Sequence, residues 1–156
     1  MPENENKTKN LEKNSRYFFQ KISYLQYPLL LVAFYFIGKM YYDLFVLNNE
    51  ESVLYYFNQS FVFLGLGISF SSLQDITKTQ NKFSKRIWEN RKKGRIILIL
   101  MTIFTFVLIA FGLIGTFSSS DSKMKEVSTG YLMLGLGMIG FLKSAIEMRE
   151  HHKKMN

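Results

Sequence analysis

IILILMTIFTFVLIAFGLIGTF, residues 96–117, runs for twenty-two positions without one charged side chain. At about 1.5 Å per residue, a helix of that length crosses a hydrocarbon core of roughly 30 Å. Three other stretches read the same way. Tyr24 to Leu47 holds one Lys and one Asp, Val53 to Leu73 holds no charge, and Val127 to Leu142 is uncharged with room to run on to Ile146. In lipid only helices and closed barrels satisfy every backbone N–H and C=O, and these runs lack the alternation of barrel strands. The predicted fold is an all-α membrane protein with four transmembrane helices. The first span is too long for a signal-peptide core and no small-residue cleavage pattern follows it, so it is expected to stay in the mature protein.

The bulk composition hides this pattern. Mean hydropathy is +0.00 because the apolar blocks are balanced by polar, basic ends and a basic middle. The 156 residues allow one domain, and fifteen Phe and nine Tyr suit a lipid-facing surface. The absence of cysteine excludes disulfides, thiolate metal sites and thiol nucleophiles. A net charge of +8 in a soluble chain would point to nucleic acid; here the placement of the charge matters more, and no nucleic-acid partner is expected.

Lys and Arg set the expected orientation. Seventeen of the twenty lie in the N-terminal tail, in the middle connection between spans two and three, and beyond span four. The opposite side carries only Lys123 and Lys125, beside Glu50, Glu51, Asp121 and Glu126. Both termini are therefore predicted to be cytoplasmic. Tyr17, Tyr24 and Tyr27 fall near the inner interface and Tyr41, Tyr42, Tyr55, Tyr56 and Tyr131 near the outer one, with Tyr35 in mid-membrane.

A shift of seventy residues lays one pair of spans on the other without a gap. Leu64-Gly65-Leu66-Gly67 falls on Leu134-Gly135-Leu136-Gly137, and Leu30, Phe34 and Phe36 fall on Leu100, Phe104 and Phe106. The chain then divides into a polar, basic cytoplasmic tail (1–23), a first hairpin (24–73), a basic connection (74–95), a second hairpin (96–146) and a C-terminal tail (147–156). Both copies enter from one side, so they form a tandem parallel repeat, with an expected pseudo-two-fold axis along the membrane normal. The stretches Phe61 to Gly67 followed by Gln74-Asp75, and Gly130 to Gly140 followed by Lys143 and Glu147, resemble the YiaA/YiaB-type two-helix repeat membrane proteins. That resemblance implies architecture over most of 25–150 and no assigned activity. The long basic connection departs from it.

Few residues carry chemistry. Gly135 to Gly140 formally spells G-x-G-x-x-G, but inside a span it cannot offer amides to a pyrophosphate as the dinucleotide motif does. Small residues at three- and four-residue spacing instead let helices approach. Gly65, Gly67 and Ser69 in span two, and Gly130, Gly135, Gly137 and Gly140 in span four, are the expected packing positions. Lys39 and Asp43 lie four apart in span one, as a self-neutralising pair with a snorkelling lysine or as a functional intramembrane site. With Asn58, Gln59 and Ser60 at similar depth they would line a polar outward-facing cavity. In the connection, Ile76, Phe83 and Ile87 recur at helical spacing beside Trp88. That pattern reads as an amphipathic helix on the inner leaflet that ends near Gly94, touching anionic lipid through Lys82, Lys85, Arg86, Trp88, Arg91, Lys92 and Lys93. A protein docking surface is the competing reading of the same segment. Glu147 and His151 sit one turn apart in a solvated tail, and neither metal nor other cofactor is assigned.

The expected function is a non-enzymatic structural or accessory role, in a homo-oligomer or with a membrane protein partner. The alternative is a small channel or transporter with its site at Lys39 and Asp43.

Overall fold

The computed structural model describes residues 14–74, 87–88 and 90–155, without the side chains of 50, 51, 91 and 151–155. Helix α1 covers 14–23. Helix α2 covers Gln26–Tyr42 and runs into a π-helical turn, Asp43–Leu47. Helices α3 (Glu50–Ser71), α4 (Arg91–Ser118) and α5 (Ser122–Met155) complete the fold, and there is no strand among the described residues. Four stretches are long and apolar enough to cross a bilayer: Asn14–Leu47, Ser52–Ser71, Lys92–Ser118 and Ser122–Glu150. The chain is an all-helical, multi-pass membrane protein.

Local chemistry explains the breaks. Pro28 has no N–H to return to the carbonyl of Tyr24, so the helix tightens just upstream, where Tyr24 and Leu25 donate to the carbonyls of Lys21 and Ile22. At the far end of α2, Asn48 adopts the left-handed conformation (φ 49°, ψ 36°), which Asn tolerates better than most residues. The chain can then turn back within two residues, 48 and 49. The backbone N–H groups of Asn48 and Asn49 both donate to the Asp43 carbonyl. The second short loop is tied by Asp121, whose carboxylate accepts from the Lys123 N–H at 2.9 Å.

The basic connection ends differently from the sequence expectation. Asn90 caps α4, its Oδ1 accepting from the N–H groups of Lys92 (3.1 Å) and Lys93 (3.2 Å). The helix therefore starts at Arg91 and passes straight through Gly94, which is not a helix terminus. Residues 14–23 are helical, and α5 runs through 147–155 without a break. At about 1.5 Å per residue the 34 residues of α5 extend for about 51 Å, well beyond one bilayer core. Ile76, Phe83, Lys82, Lys85 and Arg86 lie outside the described residues.

Among the described residues the helices are arranged as a chain of neighbours: α2 on α3, α3 on α5, and α5 on α4. Helices α3 and α5 run parallel in the middle. One core cluster, Leu108, Leu134 and Met138 with Phe61, Leu64 and Tyr131, fills the space among α3, α4 and α5. A second, Trp88, Leu98 and Ala145, sits at the end opposite the short loops. In the first hairpin, Phe36 stacks on Tyr56 and Phe63.

Candidate functional site

The α3–α5 contact is a seam of small residues spaced by seven. Asn58, Gly65 and Ser72 on α3 meet Gly130, Gly137 and Ser144 on α5. A seven-residue spacing keeps to one side of a helix that coils slightly left-handed, so the two parallel helices stay in contact along their length. At Gly65 an added Cβ would collide with the backbone of Met133 and Leu134, and at Gly137 with the backbone of Gly65. Here backbone lies on backbone, with no side chain that could move aside. Lower in the seam the Ser144 hydroxyl donates to the Ser72 carbonyl at 2.9 Å, and a Cβ on Gly140 would lie 2.8 Å from the Ser72 Oγ. Such an interhelical bond contributes on the order of 0.6 kcal/mol in lipid. At the other end, the Asn58 Oδ1 is buried without a hydrogen-bond partner. A Cβ on Gly130 would lie 2.6 Å from that oxygen, so glycine there leaves room for the Asn58 side chain.

The remaining candidate glycines face elsewhere. Gly67 packs on Leu30 of α2 and Gly135 on Ile109 of α4. Ser69 donates to the Gly65 carbonyl of its own helix. These contacts bear on the seventy-residue shift. A two-fold axis would give Gly65 and its counterpart Gly135 equivalent neighbours, yet Gly65 faces α5 whereas Gly135 faces α4. Gly67 and Gly137 differ in the same way. These glycine contacts therefore do not show the expected pseudo-two-fold axis; residues two apart lie about 200° apart around a helix. Each Gly-x-Gly helix thus carries two small faces, and either can meet a neighbour.

Lys39 and Asp43, both described, make no ion pair with each other. Asp43 is buried (6% exposed) and accepts a 2.5 Å hydrogen bond from the Ser52 hydroxyl in the first turn of α3. Its carbonyl holds the loop amides, so one residue fastens both the turn and the returning helix. Lys39 points away, its Nζ 5.8 Å from the Tyr42 ring centroid, a distance at which the ring face attracts a cation. It lines a shallow groove of about 400 Å³ with Phe34, Tyr35, Gly38 and Tyr42. Neither Asp43, Asn58 nor Gln59 borders that groove. Asn58 is in the α3–α5 seam, Gln59 is half-buried, and Ser60 is buried with its hydroxyl on the Phe57 carbonyl. Lys39 lines the α2 groove, Asp43 is held at the α2–α3 turn and Asn58 lies in the α3–α5 seam, so these three do not share one cavity. Asp43→Ala is expected to cost about 1–3 kcal/mol and to raise amide exchange at Asn48 and Asn49, with Asp43→Asn losing less because an acceptor remains. Exchange unchanged in the alanine variant would contradict the fastening role.

At the opposite end Trp88 corrects the expectation that it rests on the inner leaflet. Its indole is only 9% exposed. It packs with Leu98 and Ala145, and Ile87, Ile97, Met101, Leu142 and Met148 close the cluster. An added Cβ on Gly94 would lie 3.3 Å from the indole Cε3, so the bare backbone there gives the ring its seat. Lys92 and Lys93 remain exposed. Glu147 lies 3.8 Å from Lys143, and no group of three or more His, Asp or Glu able to hold a metal occurs among the described residues.

Two contacts went unforeseen in the sequence. Ser52 as the partner of Asp43 had one available signal, a loop too short to keep the last turn of α2 and the first of α3 apart. The burial of Trp88 had none, since indole suits a membrane interface and a core equally. Compared with known proteins, the chain matches no family model, no curated protein and no solved structure.

Proposed function

We propose that this chain is a non-enzymatic structural or accessory subunit of a membrane assembly, with its termini and the 74–95 connection cytoplasmic. The observation that carries this reading is how the polar groups of the spans are used. Asp43 binds Ser52, Ser144 binds the Ser72 carbonyl, and Thr102, Thr105 and Thr116 bind carbonyls of their own helix. The first two tie one helix to another, the three threonines are satisfied within their own helix, and none of these groups converges with the others on one reacting or conducting centre. Meanwhile the two flanking helices, α2 and α4, keep wide exposed faces, with Leu31, Phe34 and Tyr35 on one and Phe106, Ile114 and Phe117 on the other. The excess of Lys and Arg at the three segments away from the short loops supports the orientation. Exposed Lys92 and Lys93 support contact with anionic lipid there. Kinship with the YiaA/YiaB-type proteins is proposed on the quoted stretches alone and adds no activity.

Purification into lipid nanodiscs or mild detergent, followed by mass determination and cross-linking, tests the role. A mass of two or more chains, or a stoichiometric complex with another membrane protein, is expected. A monodisperse single chain with no partner would overturn it. The transporter alternative places its site around Lys39 and Asp43, and the separation of Lys39 in the α2 groove from Asp43 on Ser52 favours the accessory reading over it. Proteoliposomes are accordingly expected to show no ion or amine flux above empty vesicles.

A further inference from the structure

Lys39 breaks a general pattern. Ionisable groups within spans face a bundle interior or a watery cavity and pair with an opposite charge there. Lys39 does neither. Its position is about 12 Å below the end of the α2 stretch at Leu47, counting 1.5 Å per residue. It faces outward from α2, beside an open notch at Gly38, where an added Cβ would meet nothing within 4 Å. The nearest carboxylate in sequence, Asp43, is turned inward and committed to Ser52. The side chains around the notch, Tyr35, Gly38, Lys39 and Tyr42, follow the i, i+3, i+4, i+7 spacing of one helix face. That is the face a crossing helix would touch, and a glycine in it permits close approach.

We propose that this face of α2 docks a transmembrane helix of another protein, one carrying a carboxylate at the depth of Lys39. Charge complementarity decides the kind of occupant. A second copy is disfavoured because a symmetric contact through the same face sets Lys39 beside Lys39. Nor has a second copy a carboxylate to give, since spans 53–73, 96–117 and 127–142 contain none and Asp43 is buried. A lipid phosphate lies outside the hydrocarbon, whereas Lys39 would reach a helix-borne carboxylate without leaving its groove. The inference rests on the accessory role and specifies its contact surface.

The chain lacks cysteine, so a single dye can be placed by Asn156→Cys. Energy transfer is then measured in vesicles to a synthetic Leu/Ala transmembrane peptide with one Glu at the matching depth, against the same peptide with Gln. The Glu peptide is expected to associate about five- to tenfold more tightly. Lys39→Met should reduce it to the Gln level. Gly38→Leu, which fills open space and leaves the fold intact, should weaken it several-fold. Lys39→Glu should restore association with a Lys peptide. Equal binding of Glu and Gln peptides, or a Glu preference that survives Lys39→Met, overturns the surface. So does a Glu preference abolished by anionic lipid at constant peptide, which assigns Lys39 to phosphate. The mass measurement on the wild-type chain is separate. If it shows an assembly that persists in Lys39→Met and Gly38→Leu, the accessory role stands and this surface is overturned. A wild-type single chain without partner overturns the role itself.

Discussion

Gly65→Ala is expected to lower the thermal midpoint of the protein in detergent by about 10 °C, while Gly38→Ala leaves it unchanged. The substitutions are chemically identical and both sit in transmembrane helices. At Gly38 the methyl group enters open space, and at Gly65 it enters the backbone of Met133 and Leu134. Overpacking of a core costs about 1–3 kcal/mol where side chains can adjust. Where backbone must move, as here, the upper end of that range is the expected cost. For a chain of this size it translates to roughly 2–4 °C per kcal/mol. Gly137→Ala should match Gly65→Ala, since its methyl meets the Gly65 carbonyl from the other side. Circular dichroism melts of the three variants test the seam directly. Equal midpoints for the Gly65 and Gly38 variants would mean that α3 and α5 do not touch through their glycines.

Trp88→Ala should be as damaging, costing about 3–5 kcal/mol as the removal of a buried large aromatic generally does. Trp88→Phe should recover part of the loss by refilling the seat above Gly94. Because Trp88 is the chain's single tryptophan, its emission reports its surroundings without interference. A buried indole resists aqueous quenchers and lipids brominated near the headgroup alike. Strong quenching by the brominated lipid would return Trp88 to the membrane surface and remove the cluster with Leu98 and Ala145.

The spans were legible because apolar length is a property of sequence: 96–117 contains nothing that must be satisfied outside a helix. What the small residues do individually was not legible. Gly65 and Gly67 look interchangeable in sequence, but one meets α5 and the other α2, a choice made by where neighbouring helices settle. Lys39 and Asp43 illustrate a second limit. Their spacing permits an ion pair, yet the carboxylate has a nearer competitor in Ser52 once the chain doubles back, and four-residue spacing does not reveal a partner nine residues on. Asn90 shows the same for boundaries: a cap with two amides to satisfy outweighed the glycine four positions later.

The brevity of the two loops has its own consequence for how the protein enters the bilayer. With only residues 48 and 49 between the π-helical turn that ends α2 and the start of α3, the chain must reverse direction there, and α3 returns toward the side from which α2 set out. Helices α4 and α5, joined through 119–121, are bound by the same constraint. Whatever decides the direction of insertion therefore decides it for the leading segment, the connection and the trailing end of α5 together. Reversal of the proposed orientation would require the seventeen cations of those segments to be carried across lipid, so their sum, and not any one lysine, opposes it.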